Sequence, residues 1–381
     1  MLSFCTTSKR KGSEHVMEKA KMSAYQLFTL IILFELGTSV LIPLAIEVKQ
    51  DAWLAILIGM AGGLCQFFIY YGLYRYYPDL PLTEYVQRLL GSVLGKGLAF
   101  CYILYFVYIA ANILRAFGEL LVTVAYPATP LFIINVLFIL VIVYMIYKGI
   151  EVISRTSEVL FLAMGLLLLS GFLLMMISGN IHTENLRPVL EEGLSPIIKI
   201  AFIQTIHFPF GQIVAFAMIF PYVKEREKVK RAGLWAMGMS GLLLAFVAAI
   251  NISVLGVDLA SHAQFPLLAT IQSIEVAGFL ERLDIYFILF AMIGGFLKIS
   301  IYFYAAVMAT SHLFHVKHPS HLSYPMGLVV LIGSMVTASN YTEYIKELGA
   351  FIFPYIDSSF QAILPIFLLI IAFFKNRRKA I

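Results

Sequence analysis

The feature that most constrains this chain is a succession of apolar stretches, each close to the length of a membrane-spanning helix. A helix needs about 20 apolar residues to cross the hydrocarbon core of a bilayer, and it satisfies its backbone polar groups internally. Such stretches recur along the 381 residues, and 13% of the residues are charged. A soluble domain has about a quarter charged residues. We therefore predict an all-α integral membrane protein.

We predict ten transmembrane helices, named span 1 to span 10 in chain order. Their approximate bounds are 24–46, 53–77, 97–124, 130–147, 157–178, 197–222, 232–257, 285–310, 324–339 and 349–374. An odd number of spans in each half makes the two halves inverted relative to each other. The predicted division is an N-terminal tail, 1–23, a first five-span repeat, 24–178, a second five-span repeat with outer loops, 179–374, and a basic tail, 375–381.

The basic residues predict which side of the membrane each loop faces, because Lys and Arg near span ends are retained in the cytoplasm. With both termini inside, 20 of the 27 Lys and Arg residues fall in inner segments and five in outer loops. The remaining two, Arg115 and Lys298, lie inside spans. We expect both termini to be cytoplasmic. The net charge of +5 then reflects basic loops beside anionic lipid, without nucleic acid as a partner.

The N-terminal region predicts a signal anchor and no cleavable signal peptide. The first apolar run begins only after Lys21 and lacks a small-residue cleavage site. The polar stretch before it is either a tail or the result of a start codon placed too early, with translation beginning at Met17 in place of Met1. The three cysteines predict no disulfide framework, because one lies in the inner tail and two are isolated within spans.

Two predicted spans are interrupted by glycine, proline and polar residues. Span 1 contains ELGTS at 35–39, and span 6 contains HFPFG at 207–211. Such breaks free backbone N–H and C=O groups that lipid cannot satisfy. A single break is explained by helix packing. Breaks at corresponding places of two inverted repeats favour a transporter-type ligand site at the bilayer midplane.

Four segments carry a resemblance to a known family. They are MSAYQLFTLIILFELGTSVLIP in span 1, YYGLYRYYPDLPLTEYVQRLLG at the end of span 2, RTSEVLF opening span 5 and FGQIVAFAMIFPYV in span 6. From about Met17 onward the chain resembles the B subunit of bacterial spore germinant receptors. This spore germination permease family lies within the amino acid/polyamine/organocation transporter superfamily.

The resemblance implies a LeuT-like fold, a five-plus-five inverted repeat with spans 1 and 6 broken, in the spore inner membrane. It also implies a complex with an A subunit and a lipoprotein C subunit, and recognition of a small nutrient, such as an amino acid, that triggers germination. The same pocket would serve an amino acid transporter, proton-coupled or uncoupled. A purely structural scaffold is the third alternative, and the sequence leaves all three open.

The residues at the span 1 break indicate how a small charged ligand would be held. A new helix beginning near Thr38 would present free N–H groups to a carboxylate, with Ser39 as a polar neighbour. Gly37 would let the backbone come close to the ligand. Glu35 would receive an amino group.

The span 6 break contributes aromatic and polar residues to the same candidate site. Phe208 and Phe210 would form its walls and set its size. Gly211 would repeat the close backbone approach of the span 1 break. His207 would add a proton-switchable partner and Gln212 an amide.

Charged residues inside other spans are further candidates. Arg115 and Glu119 lie one helical turn apart in span 3, which favours either a mutual ion pair or ligand contact.

Lys298 in span 8 lies about 15 Å from either interface, so we expect it to face the bundle interior. In sodium-coupled relatives of the resembled fold, span 8 and the span 1 break hold a cation. Lys298 thus resembles a built-in substitute, with a structural ion pair to Glu35 as the alternative. We interpret Asp357 in span 10 as facing water.

The remaining motifs indicate loops and interfaces. HLFHVKHPSH, 312–321, is interpreted as a cytoplasmic loop and not as a metal site, because its proline ends any helix. KEREKVKR, 224–231, is a solvated loop or a docking surface for the A subunit. We predict amphipathic segments at 265–284 outside and 81–96 inside. No catalytic constellation or cofactor motif is found, so we predict neither an enzyme nor a bound cofactor.

Overall fold

The computed structural model describes residues 21–274, 283–337 and 348–377. These residues form helices joined by turns, with an isolated β-bridge between Met22 and Val223. Within this part of the chain, eight helices are long and apolar enough to cross a membrane. The predicted all-α membrane protein is confirmed. The choice between Met1 and Met17, and parts of both predicted tails and of the outer amphipathic segment, lie outside the described residues.

The first five spans follow the predicted order. Their helices are Ala24–Leu36, Ala52–Tyr76, Ser92–Val124, Leu131–Lys148 and Ile150–Ser178. A turn of 3-10 helix, Ile46–Asp51, leads into span 2. The short helix Leu82–Leu90 follows span 2, in the segment predicted to be an interfacial helix.

The second five spans are less regular. Span 6 is assembled from the helix Leu194–Ile200, the π-helical turn Ala201–Thr205 and the 3-10 segments Phe210–Met218 and Phe220–Tyr222. Spans 7, 8 and 9 contain the helices Val229–His262, Asp284–Phe314 and Ser323–Val336. Span 10 consists of the π-helix Leu348–Ile363 and the α-helix Leu364–Arg377. The short helix Pro266–Gln272 lies in the predicted outer amphipathic segment.

Local sequence signals explain where several of these helices begin. Span 1 starts with a capping box, in which the Ser23 side chain accepts the Gln26 N–H and the Gln26 side chain accepts the Ser23 N–H. Gly149 separates span 4 from span 5 with no intervening loop. Its φ of 90° lies in the region that favours glycine.

Span 8 lies at the centre of the described bundle and contacts spans 1, 3, 4, 5 and 6. Its contacts depend on small residues, which let helices approach closely in a membrane. A Cβ added to Gly295 would lie 2.7 Å from the ring of Phe117 in span 3. Span 5, by contrast, exposes Leu162, Leu166 and other leucines on its outer surface. Span 8 is therefore an interior helix, whereas span 5 faces the lipid.

Both ends of the described chain lie on one side of the bundle. The N–H of Met22 donates to the carbonyl of Tyr222 at the end of span 6. The loop that follows span 6 is joined through the Arg226–Asp79 ion pair to the end of span 2. There, Asn376 of span 10 donates to the hydroxyl of Tyr77. We call this side the terminal side and the opposite one the far side.

A loop closes the far side of the bundle beside the start of span 2. The Lys49 ammonium donates to Glu192 over 2.7 Å, and the Gln50 amide donates to Glu191 over 3.0 Å. The Asp51 carboxylate accepts the N–H of Leu190. We call these contacts the far-side clasp. The clasp ties the approach to span 6 to the entry of span 2.

Candidate ligand site between the broken spans

The span 1 break lies where predicted, but its backbone differs from the prediction. The helix ends at Leu36, and the chain continues as turns in which the N–H groups of Ser39 and Val40 both donate to the Leu36 carbonyl over 3.1 Å. The new helix expected from Thr38 does not form. Pro43 follows too soon for a helix of useful length. These N–H groups are therefore occupied and not free for a carboxylate.

The span 6 break also lies where predicted. After the π-helical turn, the N–H groups of His207 and Phe208 donate to the Gln204 carbonyl over 3.0 and 2.9 Å. The chain then passes through a cis peptide bond before Pro209. It resumes as a 3-10 helix at Phe210. Spans 1 and 6 are thus both interrupted within the bundle.

Gly37 brings span 1 into direct contact with span 8. A Cβ added to Gly37 would lie 3.2 Å from Cδ of Lys298, 3.3 Å from the Gly294 carbonyl oxygen and 2.9 Å from the Phe34 carbonyl oxygen. Distances this short leave no room for any side chain at this position. The glycine is required for the close approach of span 1 to span 8, and its expected approach to a ligand stays a prediction.

Lys298 lies in the bundle interior, as the sequence predicts. Its side chain is fully buried. The ammonium lies 4.4 Å from the ring centroid of Phe208 and 5.2 Å from that of Phe34. Aromatic faces attract cations electrostatically. No hydrogen-bond acceptor reaches the ammonium from within the described residues. Lys298 thus links the two breaks, since Phe34 belongs to span 1 and Phe208 to span 6.

Glu35 lies in the last turn of the span 1 helix and is also fully buried. Neither oxygen of its carboxyl group has a hydrogen-bond partner within the part of the chain that the structure describes. No hydrogen bond joins it to Lys298 there. A buried charged or polar group without a partner costs free energy. Glu35 therefore has unused capacity to bind a donor.

Asp357 of span 10 belongs to this interior region, so the interpretation that it faces water is wrong. Its side chain is 1% exposed, and the Tyr105 hydroxyl donates to its carboxylate over 2.8 Å. Gln361, one turn later, donates to the same hydroxyl over 2.9 Å. The His207 ring and the Ser358 hydroxyl are joined by a hydrogen bond of 3.0 Å. Span 10 therefore supports the span 6 break.

Amide oxygens converge on the span 6 break at Gly211. A Cβ added there would collide with the Gln361 oxygen and lie 2.7 Å from the Gln66 oxygen. Both oxygens, and that of Gln212, are buried and lack a hydrogen-bond donor within the described residues. Sequence reasoning identified Gln212 but missed Gln66 and Gln361. The sequence does carry one signal for the residues of span 10, because polar residues recur one helical turn apart after Pro354.

The other predicted site residues occupy varied positions. Phe208 lies against Lys298 and stacks on Phe353 of span 10 at 6.0 Å between ring centroids. Phe210 packs instead against Gly63 of span 2. Ser39 is buried, with a hydroxyl that lacks a partner among the described residues, and Thr38 is half-buried.

Arg115 and Glu119 form the predicted ion pair. The Arg115 guanidinium lies 2.6 Å from the Glu119 carboxylate, and both side chains are largely buried in span 3. The mutual pair gives each charge a partner inside the protein. Such pairing is the usual condition for intramembrane charges.

Comparison with known proteins identifies the family. The profile described as "Spore germination protein" matches residues 21–342. The chain belongs to the spore germination protein family. Spore germination protein KB of Bacillus subtilis (strain 168) is 50% identical over 95% of this chain and 97% of its own length. Spore germination protein YndE of the same organism is 24% identical over 94% of this chain and 98% of its own. The predicted membership of the germinant receptor B-subunit family is confirmed.

The fold of this spore germination protein is also found in a solved structure. MhsT, crystallised in complex with L-phenylalanine, matches with a TM-score of 0.67 and 12% identity. The match covers 94% of this chain and 99% of the MhsT chain. MhsT is a transporter with the LeuT fold, so the predicted LeuT-like fold is confirmed.

Proposed function

We propose that this chain is the nutrient-sensing subunit of a spore germinant receptor. It binds a small nutrient at the midplane between broken spans 1 and 6, and binding triggers germination. Membership of the spore germination protein family supports this assignment. The site belongs to the interior region that joins Glu35, Lys298 and the amide oxygens around Gly211.

One observation carries the proposal: buried polar groups that lack hydrogen-bond partners among the described residues collect on both sides of the two breaks. Glu35 and Lys298 lie on the span 1 side, and the oxygens of Gln66, Gln212 and Gln361 lie on the span 6 side. Each unsatisfied group costs about 1–3 kcal/mol. A ligand that supplies donors and acceptors would recover much of this cost, which favours binding over a purely structural role.

The chemistry of these groups favours a ligand with both positive and negative charge, such as an amino acid. The Lys298 ammonium would attract a carboxylate, while Glu35 and the amide oxygens would accept hydrogen bonds from an amino group. The aromatic faces of Phe34 and Phe208 would enclose the ligand. Binding of L-phenylalanine by MhsT, which has the same fold, is consistent with this class of ligand.

The proposed assembly contains a germinant receptor A subunit and a lipoprotein C subunit in the spore inner membrane, with both termini of this chain in the cytoplasm. The exposed basic loop 224–231 on the terminal side is the candidate docking surface for the A subunit. Deletion of the gene for either partner should lower the amount of this chain or silence the response, which spore immunoblots and germination assays would measure. Full function of the chain alone in a foreign membrane would contradict the assembly.

Amino acid transport is the second candidate function, because the chain shares the LeuT fold with the transporter MhsT. The two functions differ in the fate of the amino acid once it is bound. Purified chain in proteoliposomes would accumulate radiolabelled amino acid if it transports, and a sensor would bind the amino acid without accumulation.

The test of the sensing function is a panel of amino acids and other small nutrients applied to spores that carry this chain and its partners. We expect germination, followed by the fall in optical density, with a saturable dose response to at least one nutrient. The response should disappear when this chain is deleted and return when it is restored. A deletion strain with an unchanged response to every nutrient would contradict the proposal.

A further inference from the structure

A cavity lies on the opposite face of span 1 from Lys298, between spans 5, 7 and 8. Its volume is about 410 Å³. Sites for small molecules have volumes of about 300–1,000 Å³. Span 1 contributes Ile32, Leu36 and Val40 to the wall. The segment whose Gly37 packs on span 8 thus presents its apolar side chains to this cavity.

The cavity wall is built for an apolar occupant. Span 5 contributes Phe161, Met164 and Met175, and span 7 contributes Met239 and Leu243. Methionine side chains are flexible and adapt to irregular apolar ligands. None of the described residues that line the cavity is charged. An aliphatic chain is the natural match for such a surface.

The mouth of the cavity opens toward the lipid. Leu169 of span 5 and Phe246 of span 7 both line the cavity, and they are 57% and 46% exposed. The ring of Phe246 lies 5.2 Å from that of Phe172, across the gap between the two spans. In a bilayer this exposed surface meets hydrocarbon. An occupant can therefore enter sideways from the membrane.

Two buried polar atoms inside the cavity lack hydrogen-bond partners among the described residues. Thr270 is 1% exposed and Asn251 is 8% exposed, and both line the cavity. Neither the Thr270 hydroxyl nor the Asn251 amide oxygen has a hydrogen-bond partner among the residues that the structure describes. A hydroxyl group on a ligand could donate to the Asn251 oxygen and exchange a hydrogen bond with Thr270. The occupant therefore needs one small uncharged polar group as well as an apolar body.

We propose that this cavity binds an aliphatic amphiphile that carries a long apolar chain and one uncharged hydroxyl-bearing head. A membrane lipid with such a head and a free long-chain alcohol share this chemistry. The ligand contacts the span 1 break through Leu36 and Val40. The inference does not rest on the nutrient site, because the two sites lie on different faces of span 1.

Photoaffinity labelling tests the proposal with the full chain in nanodiscs of phosphatidylethanolamine and phosphatidylglycerol. One arm uses hexadecanol carrying a diazirine, and the other uses diacylglycerol with a diazirine in its acyl chain. Peptide mapping should find label concentrated at 161–175 and 239–251. Labelling by diacylglycerol identifies a lipid as the source, and labelling by hexadecanol alone identifies a free alcohol. Uniform label along the exposed faces of spans 5 and 7, or no label at the cavity, would overturn the proposal.

A pair of glycine variants provides a matched control. Gly165 lines the cavity, and a Cβ added there meets nothing within 4 Å, so Gly165→Leu should occupy the space without a collision. Gly238 of span 7 is equally open but is not among the residues that line the cavity. We expect a several-fold loss of label at 161–175 and 239–251 in Gly165→Leu and none in Gly238→Leu. Equal labelling of both variants would contradict the site.

A second variant tests the polar end of the cavity and does not depend on the glycine pair. Thr270→Val removes the hydroxyl at nearly constant size. Labelling by the hexadecanol probe should fall, while labelling by a diazirine alkane of the same length should not change. Gel filtration of each variant verifies that the protein remains folded. Equal loss of both labels, or loss of neither, would contradict the role of Thr270.

Discussion

The two broken spans interrupt their helices with different backbones and different neighbours. Span 1 ends at Leu36 and continues as turns that pack through Gly37 against span 8. Span 6 winds through a π-helical turn and a 3-10 helix, and side-chain hydrogen bonds hold it to its neighbours. The Thr205 hydroxyl donates to the Ala55 carbonyl of span 2 over 2.9 Å. The His207 ring shares a hydrogen bond with Ser358 of span 10.

The contrast indicates how each break contributes to the site. The span 1 side is fixed by packing and brings two buried ionisable side chains, Glu35 and the Lys298 that packs on Gly37. The span 6 side is fixed by hydrogen bonds and brings amide oxygens that accept no hydrogen bond from the described residues. We therefore expect substitutions at span 1 and span 8 to abolish or weaken the response. Substitutions at span 6 and span 10 should change which nutrient is recognised.

The largest effect is expected from Gly37→Leu. The new side chain would collide with the Phe34 and Gly294 carbonyl groups and with the Lys298 side chain, so span 1 would have to move away from span 8. Germination in response to the nutrient should be lost while the protein still accumulates, as measured by immunoblots of spore membranes. Gly97→Leu in span 3 is the matched control, because a Cβ there meets nothing within 4 Å. A normal dose response in Gly37→Leu at normal protein levels would contradict this role.

Lys298→Met should have the next largest effect. It removes the buried ammonium from between the Phe34 and Phe208 rings. We expect the nutrient concentration for half-maximal germination to rise at least about tenfold, equivalent to ~1.4 kcal/mol. Lys298→Arg keeps the charge and should retain part of the response.

If the ammonium substitutes for a bound cation, the wild-type response should not require sodium. A sodium requirement, or a fully active Lys298→Met variant, would remove Lys298 from the site.

The positions of both breaks could be predicted from the sequence because their causes are local. Gly37 and Pro209 interrupt apolar stretches where a continuous helix would otherwise be expected. The interior position of Lys298 was equally predictable, since a lysine in the middle of a span has no route to either interface. The turns after Gly37 were mispredicted, although Pro43 indicates that little room remains for a helix.

The sequence shows polar residues in span 10 but does not reveal what they contact. The Tyr105 hydroxyl donates a hydrogen bond to Asp357 and accepts one from Gln361. These two hydrogen bonds connect residues about 250 positions apart. The Tyr105 ring of span 3 stacks on Phe360 of span 10 at 4.8 Å between centroids, and this packing brings them together. Without that packing, a carboxylate near a proline is equally consistent with a position facing water. Long-range contacts of this kind limit what local sequence patterns reveal.

A smaller effect, on nutrient specificity, is expected from substitutions of Phe208 and Gln212. Phe208→Leu replaces the aromatic ring beside Lys298, and Gln212→Leu removes an acceptor that has no donor among the described residues. Both changes should alter the order of potency across a nutrient panel more than they alter protein level. Phe210→Leu is a useful comparison, because Phe210 packs on Gly63. This substitution should lower protein stability more than it changes nutrient specificity. If Phe208→Leu and Gln212→Leu respond to the original nutrient at unchanged concentration, the span 6 side does not set specificity.

The smallest effect is expected at the far-side clasp. The hydrogen bond and charge of Glu192 raise the pKa of Lys49, but both side chains are more than half exposed. Any stabilisation from this pair is present at neutral pH and disappears as the pH rises through the raised pKa of Lys49. Because exposed ion pairs contribute little, Lys49→Met should leave the thermal midpoint and the nutrient response at pH 7 nearly unchanged. A large loss of either would mean that the clasp controls the span 6 break.

The central claim, that the nutrient binds between the two breaks, is tested most directly by calorimetric titration of the purified chain in nanodiscs. The ligand is the nutrient that triggers germination of spores carrying this chain. We predict saturable binding at one site, lost in Gly37→Leu and retained in Gly97→Leu. Unchanged binding to Gly37→Leu, or no binding to the chain while the A subunit alone binds the nutrient, would contradict the account.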